Sequence, residues 1–96
     1  MQIKFHPDAA IELNEAIEYY EEIETGLGFD LAIEVHSTVK RIVLFPDAWP
    51  IIDNDIRRCL VRRFPYGVLY SKESECIYIL AIMHLHREPE YWKNRK

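Results

Sequence analysis

The stretch CIYILAIMHL, residues 76–85, carries an apolar or aromatic side chain at nearly every position. Successive side chains of a strand point to opposite faces, so Ile77, Ile79, Ala81 and Met83 should share one side and Tyr78, Leu80 and Ile82 the other. Both sides are apolar, which predicts an inner strand covered on both faces. Such a strand needs neighbours. Residues 56–64 and 68–71 are rich in branched and aromatic side chains, which suit a pleated surface. Pro65-Tyr66-Gly67 and the polar run Lys72-Glu73-Ser74-Glu75 mark the turns between them. Three strands joined by two short turns predict an antiparallel meander.

The first half of the chain has a different period. Ile3 and Phe5 alternate with polar residues before His6-Pro7, a short first strand stopped by proline. Ala9, Leu13, Ala16, Ile17 and Tyr20 then recur three and four residues apart, with Glu12, Glu15, Glu18, Glu21 and Glu22 between them. This is the pattern of an amphipathic helix with an acidic, solvated outer side. Pro7 and Asp8 suit its first turn, and the glycines of Thr25-Gly26-Leu27-Gly28 suit its close. A second helix over residues 29–45 puts Ala32, Val35, Val39, Ile42 and Phe45 in phase, and the short connection makes the two helices antiparallel neighbours. Pro46 ends it, and PDAWP, residues 46–50, reads as an irregular loop with Trp49 folded back onto the core. The fold class is therefore α+β: an N-terminal strand, an antiparallel helical hairpin, a three-stranded antiparallel meander and a helical turn after Pro89, in a single domain over residues 1–96.

Composition narrows the function classes. A chain of 96 residues, 49% apolar and 29% charged, is expected to bury roughly 60–65% of its unfolded surface around one core. The start MQIKFHPDA has neither the basic residues nor the apolar run of a secretion signal, and no segment approaches the roughly 18 apolar residues of a membrane span. A soluble, cytoplasmic protein with no membrane partner is expected. Cys59 and Cys76 lack CxxC spacing and are expected to be reduced thiols. The net charge of −4 hides an asymmetry, because residues 1–55 carry three bases and twelve acids whereas residues 56–96 carry nine bases and four acids. Two halves of opposite sign are expected, the basic one suited to phosphate or an acidic protein and the acidic one hostile to nucleic acid.

Chemistry-bearing residues concentrate in the basic half. In a strand over residues 56–64, Arg58 and Arg62 fall on one face and Arg57 and Arg63 on the other, so one pair should project from the face the hairpin leaves uncovered and offer its planar fork to phosphate or carboxylate. His84 and His86 share a face by the same alternation. A metal would need further ligands, and His6, His36, Cys59 and Cys76 are each isolated in sequence; no metal and no cofactor are expected. Histidine titrates near neutral pH, and Arg87 and Tyr91 lie close enough to His84 to share a site with it. A base, an acid and a cation are what phosphodiester cleavage requires. The alternative is that Tyr91 and Trp92 are apolar anchors that dock the tail.

Nearly the whole chain resembles the RelE/ParE family of toxins from bacterial type II toxin–antitoxin modules. The resemblance rests on FHPDAAIELNEAIEYYE, the GLG before the second helix, FPDAWP, IRRCLVRRFPYGVLY and IMHLHREPEYWKNR, in that order and spacing. It implies a helical hairpin on an antiparallel sheet and a cognate antitoxin that binds and neutralises the protein. The family divides into RelE-like members, which cut messenger RNA on the ribosome, and ParE-like members, which poison DNA gyrase and cut no RNA. FPYGVLY and HREPEYW look more like the ParE side, so a ParE-like gyrase inhibitor is expected. The alternatives are a ribosome-dependent, metal-independent mRNA endonuclease and a non-toxic regulator that only binds its antitoxin. For a nuclease, the resemblance implies catalytic roles for Arg62, Arg63 and Arg87, with His84 or Tyr91 transferring the proton.

Overall fold

A computed structural model describes residues 1–95. Its elements are β1 (Gln2–Phe5), α1 (Pro7–Ile23), α2 (Leu27–Leu44), β2 (Ile51–Asp53), β3 (Ile56–Leu60), β4 (Tyr66–Lys72), β5 (Cys76–His84) and a 3-10 turn (Lys93–Arg95). The five strands form one sheet in the order β1-β5-β4-β3-β2. β1 runs parallel to β5 and the other neighbours are antiparallel. The expected α+β architecture is present, with an additional strand, β2, in the segment after Pro50. Asn54 adopts φ 47° in the two-residue turn to β3, a conformation that asparagine tolerates and that closes a hairpin.

Local chemistry sets the helix ends. His6 caps α1 by accepting the Asp8 amide at Nδ1, 3.0 Å away. Gly26 takes φ 92° between the helices, where a side chain would be strained. α2 then begins at Leu27, two residues earlier than its periodicity suggests, because the Glu21 carboxylate accepts from the Gly26 and Gly28 amides at 2.9 and 3.0 Å. A carboxylate there satisfies donors that the new helix cannot pair internally. A Cβ on Gly28 would overlap the Ile17 carbonyl oxygen, so the close approach of the two helices depends on glycine.

Both faces of β5 are covered, by different things. The hairpin covers one, with Ala9, Leu31, Val35 and Ile42 against Val68, Tyr70, Ile77, Ile79 and Ile82. The C-terminal tail covers the other: Trp92 is 3% exposed and packs with Ile56, Leu69, Leu80, Ala81 and Met83. Its indole nitrogen donates to the Pro89 carbonyl at 2.8 Å, so the ring is buried without an orphaned donor. The strict alternation read from residues 76–85 fails at one point. Leu69 pairs with Ala81 and Tyr70 with Ile79, which leaves Leu80 as an extra residue and reverses the phase beyond it. Ala81 and Met83 therefore lie on the tail side, and Ile82 lies on the hairpin side.

The bulge sits where β5 loses a neighbour. β1 stops at Phe5, opposite Ile79, and Pro7 turns the chain into α1. Glu12 of α1 accepts the Ile82 amide at 3.0 Å, and Arg95 donates to the Leu80 carbonyl at 3.2 Å. Arg95 and Glu12 also form a two-pronged ion pair, at 2.9 and 2.8 Å, with both side chains only 12% exposed. Glu12, which the helical pattern assigns to a solvated face, thus ties α1, the bulged strand and the tail together. Removing one partner of a buried pair leaves the other charge uncompensated. Glu12→Ala should lower the unfolding free energy by about 3 kcal/mol, and Glu12→Gln, which keeps an acceptor for the Ile82 amide, by distinctly less. Urea unfolding monitored by Trp fluorescence measures both, and equal losses would show that the strand amide is not part of the effect.

Candidate functional site

The β3–β4 turn and the end of β5 meet at one end of the sheet. Leu60 pairs with Gly67 and Tyr66 with His84, while the Leu85 amide donates to the Pro65 carbonyl at 2.9 Å. Rings line this end in sequence: Phe64 against Tyr20, Tyr20 against Tyr66, Tyr66 against His84 and His84 against His86, with centroids 5.1 to 6.3 Å apart. The strand expected over residues 56–64 stops at Leu60. Arg63 adopts φ 70°, which no strand continues through, and the turn falls on residues 62–65. Arg62 and Arg63 are therefore turn residues, and the expected pairing of arginines on alternate strand faces applies only to Arg57 and Arg58. Arg57 points to the hairpin side, donating to the carbonyls of Asp47 and Trp49 at 3.1 and 2.6 Å.

The five singled-out residues share this end but do not form one constellation. Arg63 is held by α2, 3.5 Å from Asp30 and 4.0 Å from Glu34. Arg62 is exposed, makes no ion pair among the described residues, and lines a separate cleft with Arg41 and Arg58. His84 accepts the His86 amide at Nδ1, 3.1 Å away, and opens onto a cleft of about 190 Å³ with Glu12, Glu15, Tyr19, Tyr66 and Arg87. Glu12 is already paired with Arg95, so Glu15 and Arg87 are the cleft's charges that make no ion pair among the described residues. Arg87 stacks 4.0 Å above the Tyr91 ring, with Arg95 4.8 Å from the same ring. Burial, then the neighbouring Glu12 carboxylate, push the Tyr91 phenol far above its ordinary value. A phenol kept protonated in this way is a poor general base at neutral pH. Among the described residues no group of three His, Cys, Asp or Glu side chains is placed to hold a metal ion.

Glu12 and Arg95 are the partners that sequence reading missed. The signal for Glu12 was its position between Ala9 and Ala16, the two fully buried residues of α1, which brings it to the rim of the buried stripe. Arg95 gave no such signal, because its partner lies 83 residues away.

A helical hairpin on one face of a bulged sheet and a docked tail on the other define the small α+β class to which RelE/ParE-like folds belong. A chain of the solved structure "Chromosomal ParDE TA system from P. aeruginosa" has this fold, with a TM-score of 0.78 at 19% sequence identity over 90% of this chain and 97% of that chain. No protein-family model matches the sequence, and no curated protein matches it. Among the described residues, no helix is long and apolar enough to cross a membrane.

The buried tyrosines give a direct check. Tyr70 is fully buried, donates to the Pro46 carbonyl at 2.6 Å and is pushed up to about 12 by burial. A phenol whose folded value is raised contributes stability that is fully present below the unfolded value near pH 10 and is lost as pH rises toward 12. Absorbance titration at 295 nm should show native Tyr70 and Tyr91 ionising only above about pH 11, and Tyr91→Phe should leave the curve below that pH unchanged. Loss of a group titrating near pH 10 in Tyr91→Phe would mean that Tyr91 is not engaged as described.

Proposed function

We propose that this chain is the toxin of a type II toxin–antitoxin module, acts in the bacterial cytoplasm in the ParE-like manner by inhibiting DNA gyrase, and is neutralised by a cognate antitoxin. The fold likeness to a chain of a ParDE system supports the module assignment. The choice of target is supported by one observation, the packing of the Tyr91 ring against Arg87 and Arg95, 4.0 and 4.8 Å from their guanidinium carbons, with its phenol raised by burial and by Glu12. Ribonucleolytic chemistry needs a free proton-transfer group beside a cation that meets the phosphate. Here Arg87 is stacked on the Tyr91 ring and shares its cleft with Glu15. Arg63, a second candidate cation, is turned toward Asp30 and Glu34. The hairpin also leaves Ile23, Phe29 and Ile33 exposed at 58, 67 and 46%, apolar surface of the kind that a binding partner covers.

Induced expression in a bacterium should arrest growth, and co-expression of the protein encoded by the adjacent gene should relieve the arrest. Purified protein should inhibit supercoiling by gyrase, while primer extension on translated messages should show no new cuts. Tyr91→Phe and His84→Ala should inhibit gyrase to within about threefold of the parent. Ribosome-dependent cuts lost on His84→Ala or Arg87→Ala would overturn the gyrase reading in favour of an endonuclease. Normal growth with soluble, folded protein would leave the antitoxin-binding regulator instead.

A further inference from the structure

The outer edge of β3 is only half covered. β2 pairs with Ile56 and Arg57, and the Arg58 amide donates outward to the Pro50 carbonyl at 3.2 Å. The Val61 amide points the other way, to Tyr66 of β4, at 2.9 Å. Backbone groups of a strand alternate between its two sides, so the Leu60 amide and carbonyl face outward, past the end of β2. Leu60 itself is 52% exposed. Among the described residues the Leu60 carbonyl meets only the Cys59 thiol, at 4.0 Å, and a strand edge with no backbone partner is a template for another extended chain.

Three guanidinium groups surround this edge. Arg41, Arg58 and Arg62 line a cleft of about 340 Å³ with Trp49, Pro50 and Leu60, and no acid lines it. Most other basic side chains of the sheet and tail behave differently: Arg57, Arg63, Lys72, Lys93 and Arg95 are each within 4.0 Å of a carboxylate, whereas Arg87 is stacked on Tyr91 and Lys4 lies on the opposite edge strand. Arg41, Arg58 and Arg62 make no ion pair among the described residues. They also approach from both sides of the sheet. Arg58 lies on the tail side, opposite Leu69, with Cδ and Cγ against Gly67, whereas Arg41 comes from α2 on the hairpin side, beside Cys59.

We propose that this edge binds an extended acidic segment of a partner protein as an added strand, with Leu60 supplying the backbone hydrogen bonds and Arg41, Arg58 and Arg62 taking its carboxylates. Side chains of an added strand alternate between faces, so consecutive acidic residues would each meet a guanidinium. Guanidinium–carboxylate pairing in a cleft free of competing acids supplies the specificity. A nucleic-acid strand fits less well, because it cannot use the strand edge and because Trp49 is packed against the hairpin core instead of standing free to stack on a base. The proposal is independent of the gyrase reading.

Blocked hexaglutamate is the probe, titrated into the full chain at low salt by calorimetry and by amide chemical shifts. Binding should shift the Leu60 and Arg62 amides. The same peptide N-methylated at every residue keeps its charge but has no backbone donor for the ladder on either edge, and should bind at least tenfold more weakly. Arg58→Gln/Arg62→Gln should also lose at least tenfold, and Lys4→Gln, remote from the edge, should not. Equal binding of the N-methylated peptide, shifts confined to other regions, or binding of oligothymidylate in preference to the peptide would each overturn the proposal. Should the double variant fail to fold, the N-methylated peptide still decides, because it leaves the protein untouched.

Discussion

Where β5 outruns β1, a strand buried on both faces is left with backbone groups that no neighbouring strand can satisfy. Unpaired peptide groups in such a position are costly, and the protein meets the cost with side chains from the two ends of the chain. Glu12 accepts from Ile82 and Arg95 donates to Leu80, while the two side chains pair with each other. The first helix can leave β1 early, and the bulge at Leu80 can reverse the strand's phase, because this pair covers the gap. Tail docking follows from the same contact. Arg95 anchors the turn that carries Trp92 onto the second face of the sheet.

The charge asymmetry along the chain has a structural meaning in this light. The acidic first half and basic second half do not stand apart as two opposed fields. All but one of the ion pairs among the described residues join the halves, with Asp8, Glu12, Asp30, Glu34, Asp47 and Asp53 set against arginines and lysines of the sheet and tail. The exposed pairs contribute little individually. Together they orient the hairpin and loops over the sheet and consume most of the positive charge that composition alone assigned to a ligand. Of the guanidinium groups that make no ion pair among the described residues, Arg41, Arg58 and Arg62 gather along the open part of β3 and give that edge its character.

The same consumption of charge governs the end of β5. His84 and Arg87 line one cleft and Tyr91 stacks under Arg87, yet Tyr91 lies against two arginines with its phenol raised by burial and by Glu12. Proximity of an acid, a base and a cation is necessary for proton-transfer catalysis, but their hydrogen-bond partners decide whether a proton can move. In this protein the partners favour packing.

Residue order alone was enough for the hairpin, the meander and the double coverage of β5, because each is written in a local period: three and four for α1 and α2, two for β3 to β5, with Pro7, Gly26 and Pro46 as punctuation. It also singled out residues 84–92 as a candidate site, where histidine, arginine and aromatic residues cluster. Tertiary structure decided the rest. The bulge at Leu80, the parallel pairing of β1 with β5, the hold of Asp30 and Glu34 on Arg63 and the pairing of Glu12 with Arg95 all depend on contacts between residues far apart in the chain. No local pattern carries such contacts. A carboxylate on a helix reads as solvated until the fold shows which orphaned amide and which distant guanidinium it meets.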